Sequence, residues 1–185
     1  MESVLAPTQF GMPTYNQALD SILQQYDDSC AIKAQEIVLN AAGIPATEST
    51  LCEIAITNGW YYPGLGTPME DVGKLMETYG FNVQQLSKGS FYNLVCELSQ
   101  GHPVIVGVDS GELWNPGPSE TFEDIIQGEC PDHALIVAGI DFNADFSKGV
   151  INLIDPGTGD FSIGYDINQF ADAWADSGNF MVTIK

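Results

Sequence analysis

Two apolar runs constrain the fold of this chain more than any other feature. His133-Ala134-Leu135-Ile136-Val137-Ala138-Gly139-Ile140 alternates too little for a strand with one wet face and suits a buried one. Val150-Ile151-Asn152-Leu153-Ile154 is similar, and it closes on Asp155 before the turn signal Pro156-Gly157. If the two strands pair antiparallel, the imidazole that opens the first lies beside the carboxylate that closes the second.

A cysteine completes the pattern. Ala31 to Ala42 reads helical, with Ile32, Ile37, Val38 and Ala41 at roughly helical spacing and Gly43-Ile44-Pro45 as the stop. Asp28 or Ser29 is the expected side-chain N-cap. Cys30 then sits in the first turn, where unpaired N–H groups and the positive end of the helix dipole favour thiolate over thiol. A buried structural cysteine is the ordinary alternative, but His133 and Asp155 weigh against it, and a Cys-His-Asp triad follows.

The chain resembles the papain-like cysteine peptidases, specifically the bacterial double-glycine leader peptidases of bacteriocin exporters. The matching elements are Gln24 six residues before Cys30, the helix after Cys30, "DHALIVAGID" from Asp132 to Asp141 and "INLIDPGTGD" from Ile151 to Asp160. The similarity spans about residues 20 to 185, in the family's order Gln, Cys, His, Asp. It implies Gln24 as the oxyanion-hole amide, Cys30 as nucleophile, His133 as general base and acid, and Asp155 as the group orienting the imidazole. Gln25, one residue closer to Cys30, is the alternative amide. Ser29-Cys30-Ala31 replaces the Asp-Cys-Gly often seen in the transporter-linked members, and no membrane or nucleotide-binding segment follows. Both departures point to a free-standing peptidase or effector.

The order of patterns, helices mostly first and strands mostly later, indicates an α+β domain of papain-like fold. N-terminal helices should pack on a largely antiparallel sheet. Residues 1–20 read as an N-terminal arm and 21–185 as the peptidase domain, with a short helix expected within Gln17–Gln25. Further helices are expected at 30–42, 48–58, 68–79, 90–100, 120–127 and 167–177, and strands at 81–86, 103–109, 133–141, 149–155, 160–165 and 179–184. The 68–79 helix has Thr67 as cap, Pro68 at its first position and Gly80 after its end.

Two loops combine aromatics with glycine and proline: Asn58 to Gly66, which carries Trp60 and Tyr61, and Ser110 to Pro118, which carries Trp114. They read as walls of a substrate cleft, or as aromatics that cap the core. If the resemblance extends to specificity, these rings should narrow the subsites until only glycine fits beside the scissile bond. His102, in Gln100-Gly101-His102-Pro103, reads as a turn residue, and Asp109 is a second candidate to orient the imidazole.

The net charge of −20, from 25 acidic residues against five lysines and no arginine, excludes partners that are bound through cations. Nucleic acid and anionic membranes are such partners. The acidity serves solubility first, and a basic substrate or partner second. No basic residue precedes Lys33, and Pro7 and Pro13 break the apolar residues before it, so no signal peptide or membrane helix is expected. The chain is thus expected to be made in the cytoplasm. Cys52 and Cys96 fall on apolar helix faces, and Cys130-x-x-His133 is half a zinc site with no second close pair. No metal or cofactor is expected.

The reading at this point is a cysteine endopeptidase acting on a protein or peptide, with a Gly-Gly site as one specificity. Delivery into other bacteria as a toxin, with a cognate immunity or inhibitor protein, is one expected setting. A thiol acyl-transfer enzyme (deamidase, transglutaminase or amidase) uses the same triad. A non-catalytic binding module on the same scaffold is the third class.

Overall fold

The structure, a computed structural model, describes residues 9–11, 22–117, 130–143 and 148–185. Its middle layer is one antiparallel sheet of β1 (Gln9–Gly11), β2 (Val83–Leu86), β3 (Val104–Val108), β4 (His133–Phe142), β5 (Gly149–Asp155), β6 (Asp160–Asp166) and β7 (Met181–Ile184). The order is β2-β7-β3-β4-β5-β6, and β1 pairs with the last residues of β4. β3 pairs with the start of β4, Val108 opposite His133, while β5 runs along its other side with Ile154 opposite Ile136. The start of β4 and the end of β5 therefore share one end of the sheet.

The helices are α1 (Cys30–Ala41), α2 (Glu48–Asn58), α3 (Lys74–Thr78), α4 (Phe91–Ser99), α5 (Ser110–Trp114) and α6 (Ile167–Ala175). The expected packing of N-terminal helices on an antiparallel sheet is found, and a second helical layer is added to it. Ala134 and Ile136 of β4 join Ile32, Ile37, Leu51 and Leu75 on the α1–α3 face, whereas Leu135 and Val137 join Leu94, Leu98, Phe170 and Trp174 on the α4–α6 face. Two wetted-off faces explain why β3, β4 and β5 read as near-continuous apolar runs. Burial of each large side chain at these faces contributes about 1.5–3 kcal/mol.

The helix expected over 68–79 is broken. A 3-10 turn at Met69–Asp71 precedes Val72 in extended conformation and Gly73 at φ 108°. The Gly73 N–H leaves the helical pattern to donate to the buried Gln35 Oε1 of α1 at 2.9 Å. A Cβ at Gly73 would lie 2.7 Å from Val83 Cγ1, so the break is also a close approach to β2. Among Ser110 to Pro118, read as loop, the first residues form α5, capped by the Asp109 side chain on the Gly111 N–H. Residues 22–25 of the expected 17–25 helix are not helical. The 120–127 helix, residues 17–21 and most of the 1–20 arm lie outside the described residues.

Candidate active site

Cys30 is the first residue of α1, and no side chain caps that helix. The expectation of an Asp28 or Ser29 cap is corrected, because tertiary partners draw both side chains away. The Ser29 hydroxyl lies 2.8 Å from the Tyr26 carbonyl and 2.5 Å from Glu48 Oε1. Asp28 accepts the Tyr61 hydroxyl at 2.6 Å and the Gly64 N–H. The first N–H groups of a helix have no intrahelical acceptor, so the positive end of α1 is left to Cys30 and to whatever anion forms beside it. Cys30 is partly exposed and shares with His133 the lining of a cavity of about 350 Å³.

His133 and Asp155 meet at the common end of β4 and β5, with Nε2 2.7 Å from Asp155 Oδ1. That leaves Nδ1 for the Cys30 sulfur, to which the imidazole is also hydrogen-bonded. Burial of His133 disfavours its charge, but the bonds to Asp155 and Cys30, with their charges, outweigh it and hold the imidazolium up to about 10. Burial likewise pushes Asp155 upward, and it is overcome by the His133 bond and charge, the Gly157 N–H and Trp114, which together hold the carboxyl below its ordinary value. Oδ1 also accepts the Gly157 N–H at 2.8 Å, and Oδ2 accepts the Trp114 indole N–H at 3.0 Å. Gly157 keeps this corner open: a Cβ there would crowd the imidazole and the indole, at 3.0 Å from His133 Cε1 and 3.1 Å from Trp114 Cη2.

Gln24 lies against the turn that follows Asp155, its backbone N–H donating to the Pro156 carbonyl at 2.9 Å. Its side-chain Nε2 donates to the carbonyls of Tyr26 and Asp27 at 2.8 and 2.9 Å, on the loop that enters Cys30. Gln25, the alternative, uses its N–H on Glu48 and accepts Ser49 Oγ at 3.3 Å. His102 lies beyond the opposite end of β3, bonded to Glu97 at 2.7 Å. Asp109 caps α5.

The three aromatics read as cleft walls stand elsewhere, and none lines the cavity. Tyr61 is buried behind the wall, Trp60 packs on the α1–α3 core under the Lys74 ammonium, and Trp114 flanks His133 with ring centroids 5.2 Å apart. The wall itself is the glycine turn Gly64-Leu65-Gly66-Thr67, which Asp28 holds from two residues before Cys30. The floor is apolar, formed by Val72, Ile105 and Phe180. Two contributors escaped the sequence reading. In the sequence Asp28 reads as a cap, and Glu48 as an ordinary acidic residue in the first turn of α2. Their tertiary partners, 33 and 23 residues away, leave no local signal. Among the described residues no group of three or more His, Cys, Asp or Glu side chains is placed to hold a metal, and no helix is long and apolar enough to cross a membrane.

The model of the Peptidase_C39 like family matches residues 11–182. Among solved structures, a protein from Bacillus anthracis described as a C39-like peptidase superposes with a TM-score of 0.66 at 14% identity, over 97% of this chain and 98% of that one. The peptidase domain of Streptococcus ComA, a bifunctional ABC transporter of a quorum-sensing pathway, gives 0.61 at 15% identity over 89% and 96%. A double-glycine-motif protease from an AMS/PCAT transporter, in complex with the leader peptide, gives 0.54 at 13% identity over 89% of each chain. No curated protein matches the sequence.

Proposed function

The chain belongs to the Peptidase_C39 like family, and from that membership as a cysteine peptidase we propose that it is an endopeptidase working through Cys30, His133 and Asp155. The observation that carries the roles is the chain of contacts from sulfur to imidazole to carboxylate at the uncapped start of α1. The Cys30 thiolate attacks the scissile carbonyl carbon, and the carbonyl π electrons move onto oxygen. The Cys30 N–H and one Gln24 amide hydrogen, exchanged from a backbone carbonyl, receive that oxyanion. The His133 proton passes to the amine nitrogen as the C–N bond breaks, leaving a thioester on Cys30. Water, deprotonated by the now neutral imidazole, releases the acid and regenerates the thiolate–imidazolium pair. Asp155 holds the ring orientation throughout.

The substrate proposed is a protein or peptide cut at a Gly-Gly site, and the transporter protease above is named for a double-glycine motif. The rings of Trp60, Tyr61 and Trp114 do not supply this selectivity, because none of them borders the cavity. The effector reading extends this one: production in a reducing cytoplasm, delivery to other cells, and a neutralising partner whose basic surface would complement a net charge of −20. It predicts that wild-type expression is toxic to bacterial cells and Cys30→Ala expression is not.

The peptidase proposal is tested by incubating wild type and Cys30→Ala with a bacterial lysate under reducing conditions and mapping new peptide termini by mass spectrometry. Cuts made by wild type alone, at Gly-Gly, are expected. A Cys30-dependent mass change without new termini would replace the peptidase by the acyl-transfer reading.

A further inference from the structure

Glu48, at the start of α2, is fully buried. It lies outside the sulfur–imidazole–carboxylate chain, yet its described partners all come from the stretch that carries the nucleophile. The Gln25 N–H donates to its two oxygens at 2.9 and 3.0 Å, and the Ser29 hydroxyl lies 2.5 Å from Oε1. The Lys33 ammonium stands 3.9 Å from Oε2 and is shared with Glu36 at 3.0 Å. The Gln25 N–H and the Lys33 ammonium offer only hydrogens and positive charge, and the single Ser29 hydrogen is shared between Glu48 Oε1 and the Tyr26 carbonyl. An amide in place of the Glu48 side chain would therefore set an NH2 against donors.

We infer that Glu48 is a positioning residue for the oxyanion hole. One carboxylate grips the residue next to each proposed donor: Gln25 follows Gln24, and Ser29 precedes Cys30. The two donors come from opposite ends of a loop of five intervening residues, and an oxyanion between them needs both at about hydrogen-bond distance at once. A clamp across that loop supplies this before substrate arrives, and the buried, multiply bonded carboxylate is a rigid one. The inference rests on the roles proposed above for Gln24 and Cys30.

Glu48→Gln keeps the shape but turns one acceptor oxygen into an NH2 that faces donors, so one grip is lost. The probe is an internally quenched peptide carrying the cut sequence mapped in the lysate, with rates normalised to titrated active sites. Turnover should fall about tenfold or more with KM little changed, short of the roughly 100- to 1,000-fold cost of losing a whole donor. Alkylation of Cys30 by iodoacetamide, which develops no oxyanion, should keep its rate and pH profile. Ser29→Ala removes one arm only and should lose about threefold or more in kcat with alkylation again unchanged; it carries the test if Glu48→Gln does not fold. Turnover within about twofold of wild type in whichever variant carries the test, or alkylation falling in step with turnover, overturns the inference. Failure of wild type to cut the peptide is distinct, because it defeats the peptidase reading itself.

Discussion

Burial by itself would push the His133 imidazole below its ordinary value, yet its bonds to Asp155 and Cys30 hold it up to about 10. A group whose value is raised on folding binds its proton more tightly in the folded chain. Its stabilisation is therefore complete below the unfolded value of about 6.5 and is lost as pH rises through about 10. Removing the Cys30 side chain removes one support, so His133 in Cys30→Ala should titrate lower than in wild type, as read from its ring protons by NMR. A wild-type midpoint below about 7 would contradict the thiolate–imidazolium pair. Trp114 makes a separate prediction. Trp114→Phe keeps a ring beside His133 but deletes the donor to Asp155 Oδ2, and kcat should fall about 3- to 10-fold, the part of the ~1.5–3 kcal/mol of a hydrogen bond to a charged group that a positioning contact carries into the transition state. An unchanged kcat with a raised KM would instead return Trp114 to the substrate-contacting role read from the sequence.

At the scale of elements, the cleft is built where two loops are tied to the start of α1. Asp28 joins the nucleophile loop to the glycine turn through Tyr61 and Gly64. Burial tends to raise its carboxyl, but the Tyr61 hydroxyl and the backbone N–H groups of the turn hold it below the ordinary value. Asp28→Ala leaves the buried Tyr61 hydroxyl unpaired, which costs about 1–3 kcal/mol and should lower the thermal midpoint by several degrees. An unchanged midpoint would show that the tie carries no energy. The elements bearing Cys30, His133 and Asp155 were legible in the sequence because each is announced by a local pattern: helical spacing after Cys30, and apolar runs that begin or end on the polar residue. The short α5 was not, since it spans only five residues, too few for an apolar period to mark, although Asp109 caps it locally. Nor was the break at Gly73, which Gln35 decides through a contact 38 residues away. The caps failed for the same reason, Asp28 and Ser29 being claimed by Tyr61, Gly64 and Glu48.

The whole molecule carries a net charge of −20, and Asp27, Asp28 and Asp132 lie along the cavity that Cys30 and His133 share. Such a field concentrates cationic substrates and is screened by salt. For a peptide with Lys or Arg flanking the cut site, kcat/KM should drop several-fold between about 0.05 and 0.5 M salt. A neutral peptide of the same length should change little, and equal salt dependence would remove the steering role. The antiparallel sheet and the N-terminal helical layer could be read from the order of apolar patterns. The second layer could not, because α4 and α6 show only that they have one apolar face, not which side of the sheet it covers. Covalent catalysis by Cys30 at the common end of β4 and β5 is what every proposed role serves. The direct measurement is the intact mass of wild type quenched in acid during turnover of the mapped peptide. A single adduct on Cys30 equal to the N-terminal half of the substrate, absent from Cys30→Ala, is expected. Product accumulating with no adduct on Cys30, or an adduct on the exposed Cys130 instead, would contradict it.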